Sequence, residues 1–350
     1  MRLPSDMVAR LREVYQGVPV CVTGGAGFIG SHLVDALLSL GSVVSVIDDL
    51  SNSSTRFLGP HLELEPERLA FVHGSILDDA ALAEAVRGAR KVFHLAAVGS
   101  VPRSIRDPSR TWEVNATGTV RVLEAARAAG VGREGGVGVV YSASSSAYGV
   151  GGELPRRETM APAPASPYAA SKVAGELAVR AWATSFGLGA VSLRYFNIFG
   201  PRQPGDSAYA AVVGAFARRL LQSEPPLIYG DGRQSRDFTH VANAVLANLL
   251  AGATARRLGG EVVNIGTGRR LSVLDLAGQM THALANGQAG MMRPAFAPAR
   301  AGDVPDSQAD ISLARELIGY APVVDFEEGL AETMAWYRQA LAGAARESES

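Results

Sequence analysis

A doubly wound α/β fold, one parallel sheet covered by helices on both faces, is what this 350-residue sequence predicts, and three observations predict it. Short apolar runs alternate with helical stretches from residue 18 to about residue 200. The runs are almost continuously apolar, which marks strands buried on both faces instead of strands with one wet side. The first run empties into spaced glycines that open a helix, as a strand-to-helix phosphate turn requires.

Taken in order, "MVARLREVYQ" at 7–16 reads as a short amphipathic helix preceding the domain, and the closing "RESES" as a frayed end. A strand at "VPVCVTG", a helix at "GSHLVDALLSLG" and a strand at "VVSVID" follow. Next come a strand at "LAFVHGS", a helix at "DDAALAEAVRG" and a strand at "KVFHLAA". A long helix near "SRTWEVNATGTVRVLEAARAAG" leads to the strand that ends in "YSASSSAYG". The helix "SPYAASKVAGELAVRAWATSFG" and the strand "GAVSLRYF" complete the alternation. After residue 200, Pro and Gly become more frequent and the elements shorten. We expect a Rossmann-type dinucleotide domain at 1–190, with 238–268 returning to it through "EVVNIGTG". A smaller α/β substrate-binding lobe is expected within 191–340, mainly 191–237 and 269–340.

Composition narrows the function. Apolar residues make up 47% of the chain and the formal net charge is -1 without a long basic run, which argues against nucleic acid and anionic membranes as partners. Small soluble ligands fit better. The one cysteine, Cys21, lies in a buried-strand pattern, so it allows no internal disulfide and suits a reducing compartment. There is no charged-then-apolar leader and no apolar stretch near the roughly 20 residues a membrane span needs, so a cytoplasmic protein is expected. The six histidines lack metal-ligand spacing, His94 reads as structural, and no metal is expected.

"VTGGAGFIGSHL" places Gly24, Gly27 and Gly30 between a strand and a helix, where a pyrophosphate can approach the backbone and rest on the helix N-terminus. Asp48 ends the next strand, 18 residues beyond Gly30. A carboxylate there accepts from an adenosine ribose and repels a 2'-phosphate, so the cofactor expected is NAD and not NADP. Of the 33 basic residues only Lys91 and Lys172 are lysine. One of them sits four residues after Tyr168, on the same helix face. A fixed ammonium and a positive nicotinamide ring lower a phenol pKa, which makes phenolate available as a base. Two helices, those containing "TWEVNATGTVRVLEAARAAG" and "SPYAASKVAGELAVRAWATSFG", are apolar on more than one face, which suggests a homodimer through a four-helix interface.

"TGGAGFIG", "DDLSNSS", "HLAAVGSVPRS", "SSSAYG", "SPYAASK", "LRYFNIFGPRQ", "YGDGRQSRDF" and "AGDVPDSQADI" together resemble the extended short-chain dehydrogenase/reductase family, and within it the nucleotide-sugar 4-epimerases, most of all those acting on UDP-N-acetylhexosamines. The resemblance runs from about residue 18 to 338. It implies that Ser144, Tyr168 and Lys172 are catalytic and that NAD is held permanently. Implied cofactor contacts are Gly24, Gly27, Phe28, Ile29, Gly30, Asp48, Asn52, Ser53, Ser75, Ile76, Leu95, Ala96, Ala97, Asn115 and Tyr195, besides Tyr168 and Lys172. For the substrate it implies that Asn197 holds a diphosphate oxygen, that Arg236 and Arg300 clamp the phosphates, and that Asp303 accepts from the uridine ribose. Ser100, Gln203, Ala211 and Tyr229 would line the sugar or uridine side. Arg202 and Arg233 read as solvated charges.

Family members that dehydrate or decarboxylate a sugar carry an acidic residue just after the catalytic hydroxyl. Here Ser145 and Ser146 stand there, so a 4-keto sugar has no evident next step but return. Ser307 aligns with the position that sets room around C2, where a small residue admits an acetamido group. The family's basic residue after "GDV" is replaced by Pro305 and Asp306. The resulting expectation is a UDP-GlcNAc/UDP-GalNAc 4-epimerase. The alternatives are a UDP-glucose or UDP-glucuronate 4-epimerase or, in another class, a non-catalytic NAD-binding regulator.

Overall fold

The computed structural model describes residues 4–204, 212–285, 292–299 and 305–349. Six strands, β1 (Pro19–Thr23), β2 (Val43–Asp48), β3 (Leu69–His73), β4 (Lys91–His94), β5 (Val139–Ser144) and β6 (Ala190–Tyr195), are joined by the Gly259–Ile265 strand in one sheet. Its order is Gly259–Ile265, β6, β5, β4, β1, β2, β3, and every pairing is parallel. The chain winds outward from β1 to β3, then crosses to β4 and winds the other way. The crevice between the two directions therefore opens at the C-terminal ends of β1 and β4, where such folds bind ligands.

Each face of the sheet carries its own apolar layer. On one side Val22, Val46 and Val191 meet Leu33, Leu37, Val245 and Leu249 of the helices Phe28–Ser39 and Val241–Ala253. On the other, Cys21, Val92 and Val139 meet Leu82, Leu123 and Val179 of the helices Asp79–Ala85, Gly118–Ala128 and Pro167–Phe186. A third cluster, with Phe199, Phe216, Phe238, Leu276 and Met334 among its members, forms the core of the second lobe.

Three elements differ from the sequence reading. The N-terminal helix, Ser5–Tyr15, belongs to the core: Tyr15 is fully buried and its hydroxyl donates to Leu249 O at 2.7 Å. The long helix from Pro108 to Ala128 contains a π turn at Glu113–Thr117. The last helix, Phe326–Glu349, continues into the stretch read as frayed, whose Arg and Glu residues are good helix formers.

Candidate active site

The ends of β1, β2, β4, β5 and β6 open into a cleft of about 1110 Å³ that continues into the second lobe. At its cofactor end the glycines are needed for their missing side chains. Gly24 has φ +72°, and a Cβ there would lie 2.6 Å from Ala96 N; one on Gly30 would lie 2.1 Å from Gly24 O. Gly27 begins the Phe28–Ser39 helix without a side-chain cap, so the first-turn amides are left for an anion. The Asp48 carboxylate shapes the adjoining loop. It accepts from Ala26 N at 3.0 Å, Leu50 N at 2.9 Å and Ser53 Oγ at 2.8 Å. These features fit a dinucleotide. Phe28, Ile29, Asn52, Ser75, Ile76, Leu95, Ala96 and Ala97 line the same part of the cleft.

Two expected cofactor contacts are also engaged within the protein. Asn115, buried on the π turn, accepts from Val98 N at 2.8 Å and donates to Ser171 Oγ at 3.1 Å, and it is not on the cleft wall. It ties the segment after β4 to the Pro167–Phe186 helix. Tyr195 lines the cleft, but its hydroxyl is shared between Ser142 Oγ at 3.0 Å and Asn248 Nδ2 at 2.7 Å.

The three residues expected to be catalytic converge from two elements. Ser144 ends β5 and begins a single 3-10 turn, where its Oγ accepts from Ser146 Oγ at 2.8 Å. Tyr168 and Lys172 stand on the first turns of the Pro167–Phe186 helix, which Ser166 caps by accepting from Ala169 N. Lys172 Nζ donates to Ser142 O at 2.8 Å. The helix lies this close to β5 because Gly175 faces Tyr141: a Cβ there would come within 2.2 Å of the tyrosine oxygen. Burial pushes the Tyr168 phenol above its ordinary value, while its hydrogen bond with Ser144 pulls the other way. Burial brings the Lys172 ammonium down to about 8, opposed by the charge of Glu176.

On the substrate side, Ser100, Ser145, Ser146, Asn197, Gln203, Tyr229, Arg236 and Ser307 all line the cleft. Asn197 takes φ +38° and donates to Asp237 O at 3.3 Å. Gln203 donates to Ile198 O, while its buried Oε1 has no partner among the described residues. Arg236 donates to Pro305 O at 3.1 Å, and Ser307 N donates to Ser235 O at 3.0 Å. Asp306 bonds Ser235, so the chain around Pro305 and Asp306 is docked on the strand that carries Arg236. Ala211, Arg300 and Asp303 lie outside the described residues.

Arg202 is not the solvated charge expected. It is 19% exposed, pairs with Asp35 at 2.6 Å and lies over the Phe57 ring, whereas Arg233 is 88% exposed. His94 bridges Thr23 at 2.7 Å and Thr119 at 2.9 Å, and burial and the charge of Lys172 hold it down to about 3. Among the described residues no three His, Cys, Asp or Glu side chains cluster as metal ligands, and no helix is long and apolar enough to cross a membrane. Sequence reasoning missed Glu176, Asp237 and Arg103. Asp237 stands beside Arg236 in "SRDF", the signal that was available. Arg103 reaches Asn52 across the mouth of the cofactor end.

Residues 20–266 match the family described as NAD dependent epimerase/dehydratase. A UDP-glucose 4-epimerase of Mycolicibacterium smegmatis is 40% identical over 320 residues, 91% of this chain and 97% of that one. The structure of a UDP-N-acetylglucosamine 4-epimerase from Methanobrevibacter ruminantium, in complex with UDP-N-acetylmuramic acid, superposes with a TM-score of 0.84 at 36% identity, covering 93% of this chain and 99% of that one. A Thermus thermophilus UDP-glucose 4-epimerase complexed with NAD gives 0.79 at 35% identity, covering 92% and 100%. The chain belongs to the NAD-dependent epimerase/dehydratase family of extended short-chain dehydrogenases/reductases. It is an NAD-dependent enzyme, an isomerase.

Proposed function

We propose that the protein is a UDP-sugar 4-epimerase interconverting UDP-GlcNAc and UDP-GalNAc. The observation that carries the reading is the turn after β5. Ser144 reaches Tyr168 there, and the next two cleft-lining positions are Ser145 and Ser146, where a dehydrating or decarboxylating site needs an acid. NAD, when bound, supplies a reversible hydride acceptor and a positive ring beside the phenol. Tyr168, as phenolate, takes the proton from the sugar O4 while Ser144 holds the same oxygen. Lys172 stabilises the phenolate and would donate to the cofactor ribose. Arg236 and Asn197, with Arg300 and Asp303, anchor the UDP while the 4-keto sugar turns over within the cleft. Tyr168 then returns its proton to O4 while C4 takes back the hydride on its opposite face. Small side chains at Ser145, Ser146 and Ser307 leave room for this turn, and Ser307 supports an acetamido group at C2. On this reading residues 1–190 and 238–268 serve NAD, and 191–237 and 269–340 serve the sugar nucleotide.

The reading includes a cytoplasmic homodimer. Trp112, Leu177 and Phe186 are exposed at 49%, 63% and 54% on the two helices expected at the interface. Light scattering at micromolar concentration checks this; a monomer would count against it. Incubating the protein with UDP-GlcNAc, UDP-glucose and UDP-glucuronate, and following each C4 epimer by NMR, tests the function. Preference for either of the last two would remove the N-acetylhexosamine assignment, and no turnover of any would remove the epimerase.

A further inference from the structure

One turn beyond Lys172 on the same helix face, Glu176 is 4% exposed and Arg194, on β6, is 3% exposed. The guanidinium grips the carboxylate as a fork, Nε to Oε1 at 2.8 Å and Nη2 to Oε2 at 2.7 Å. The same guanidinium lies 4.6 Å over the ring of Tyr148, the residue that closes the turn begun by Ser144. Tyr148 is pinned in turn by Asn264 Oδ1 at 2.7 Å. A continuous path of contacts therefore runs from the helix of Tyr168 and Lys172, through β6, to the turn of Ser144.

We propose that Glu176, clamped by Arg194, is a positioning residue for the catalytic lysine: its carboxylate is the counter-charge Lys172 faces, and Arg194 ties the catalytic helix to the serine turn. The role of Lys172 is taken from the proposed function, on which the inference rests.

The surroundings of Lys172 leave this task to Glu176. From β4 it faces His94, which is neutral and hydrogen-bonded to two threonines. From β5 it faces the Ser142 carbonyl and, at 5.0 Å, the ring of Tyr141. Its own helix adds Tyr168 and Glu176, and Arg194 stands behind Glu176 on β6. Among the described residues, Glu176 is the carboxylate whose charge acts on Lys172. A pair serving only as glue between helix and strand could lose either charge singly without consequence for the lysine midpoint.

The chain's two lysines make the test direct. Lysine labelled with carbon-13 at Cε gives two signals, which Lys172→Arg assigns, and the NAD-bound protein is titrated. Glu176→Gln leaves Arg194 uncompensated and should move the Lys172 midpoint down by about one pH unit or more. Arg194→Gln leaves the carboxylate unneutralised and should move the midpoint up. The double variant should return it toward wild type, with Lys91 unmoved throughout, and the alkaline limb of kcat should follow the midpoint. Unchanged midpoints, or shifts of the same sign in both single variants, would overturn the proposal. Should Glu176→Gln not fold, Arg194→Gln and the double variant decide. Absence of turnover in wild type would sink the epimerase reading, while the lysine titration still settles the electrostatic one.

Discussion

The two banks of the cleft are built from different material. The cofactor bank is mostly backbone: Gly24 and Gly30 approach neighbouring main chain where no Cβ fits, at the ends of strands paired in register over four or more residues. The substrate bank is mostly side chain, on strands of two or three residues such as Ile198–Phe199, Leu227–Tyr229 and Ser235–Arg236. Those pieces are held from below by Asp237, which accepts from Thr267 N, Thr267 Oγ1, Gly268 N and Ala309 N at 2.7 to 3.1 Å. A bank of backbone fits one shape and tolerates little change. A bank of side chains can be altered residue by residue, which suits the part of a site that chooses among substrates.

The largest effect should come where the banks meet. Tyr168→Phe removes the base and should lower kcat about a thousandfold, the middle of the usual range for a general base, with NAD content unchanged by mass spectrometry of the denatured protein. Lys172→Arg should fail comparably although it keeps the charge, because the guanidinium is larger and its donors point elsewhere.

A pair of variants separates the banks. Asp48→Ala should empty the protein of NAD while UDP binding measured by calorimetry survives. Asp237→Asn should do the reverse, raising KM by roughly ten- to a hundredfold as buried donors lose a charged acceptor. Equal damage to both ligands by either variant would show that the banks are one unit.

A smaller, selective effect is expected at the wall. Ser307→Tyr should lower kcat/KM on UDP-GlcNAc about tenfold, the cost of overfilling a packed site by roughly 1.4 kcal/mol, and spare UDP-glucose. Equal losses on both sugars would remove Ser307 from the C2 wall.

The smallest effect concerns stability. Burial lowers His94 to about 3, and His32 and His240 to about 4; His32 joins the banks by its bond with Pro201 O at 2.9 Å. Folded values below the unfolded one mean that stability is complete above about pH 6.5 and is lost as pH falls toward 4. At pH 5.5 each of the three should cost about 1 kcal/mol, and urea unfolding at pH 7.5 and 5.5 reads their sum. An unchanged midpoint would show these imidazoles to be solvated.

The sequence made the cofactor bank legible because backbone demands leave hard marks: glycine where nothing else fits, an acid at a strand end, a lysine where arginine is the habit. Continuous apolar runs likewise marked all seven sheet strands. The Val241–Ala253 helix carried no such mark, since 11 of its residues from Val241 to Gly252 are buried and an all-round apolar helix has no 3.6-residue period. Two-residue strands are below any periodicity. Asn115 was legible, but its bonds to Val98 and Ser171 were not, because they join segments far apart in the sequence. Glu176 and Arg194 looked like ordinary members of a helix and a strand until the fold brought them within 2.7 Å.

The Gly259–Ile265 strand has a further consequence for how the protein is made. It pairs along β6, whose six residues are all buried, yet more than sixty residues of chain separate them. During synthesis, the outer side of β6 emerges with its hydrogen-bonding edge and apolar faces open, and stays so until residue 265 leaves the ribosome. Such an edge invites pairing with another nascent chain. The first part of the second lobe is therefore encoded inside a sheet that cannot close without the sequence beyond it, and a fragment ending near residue 200 should be recovered as aggregate instead of as a free cofactor-binding domain.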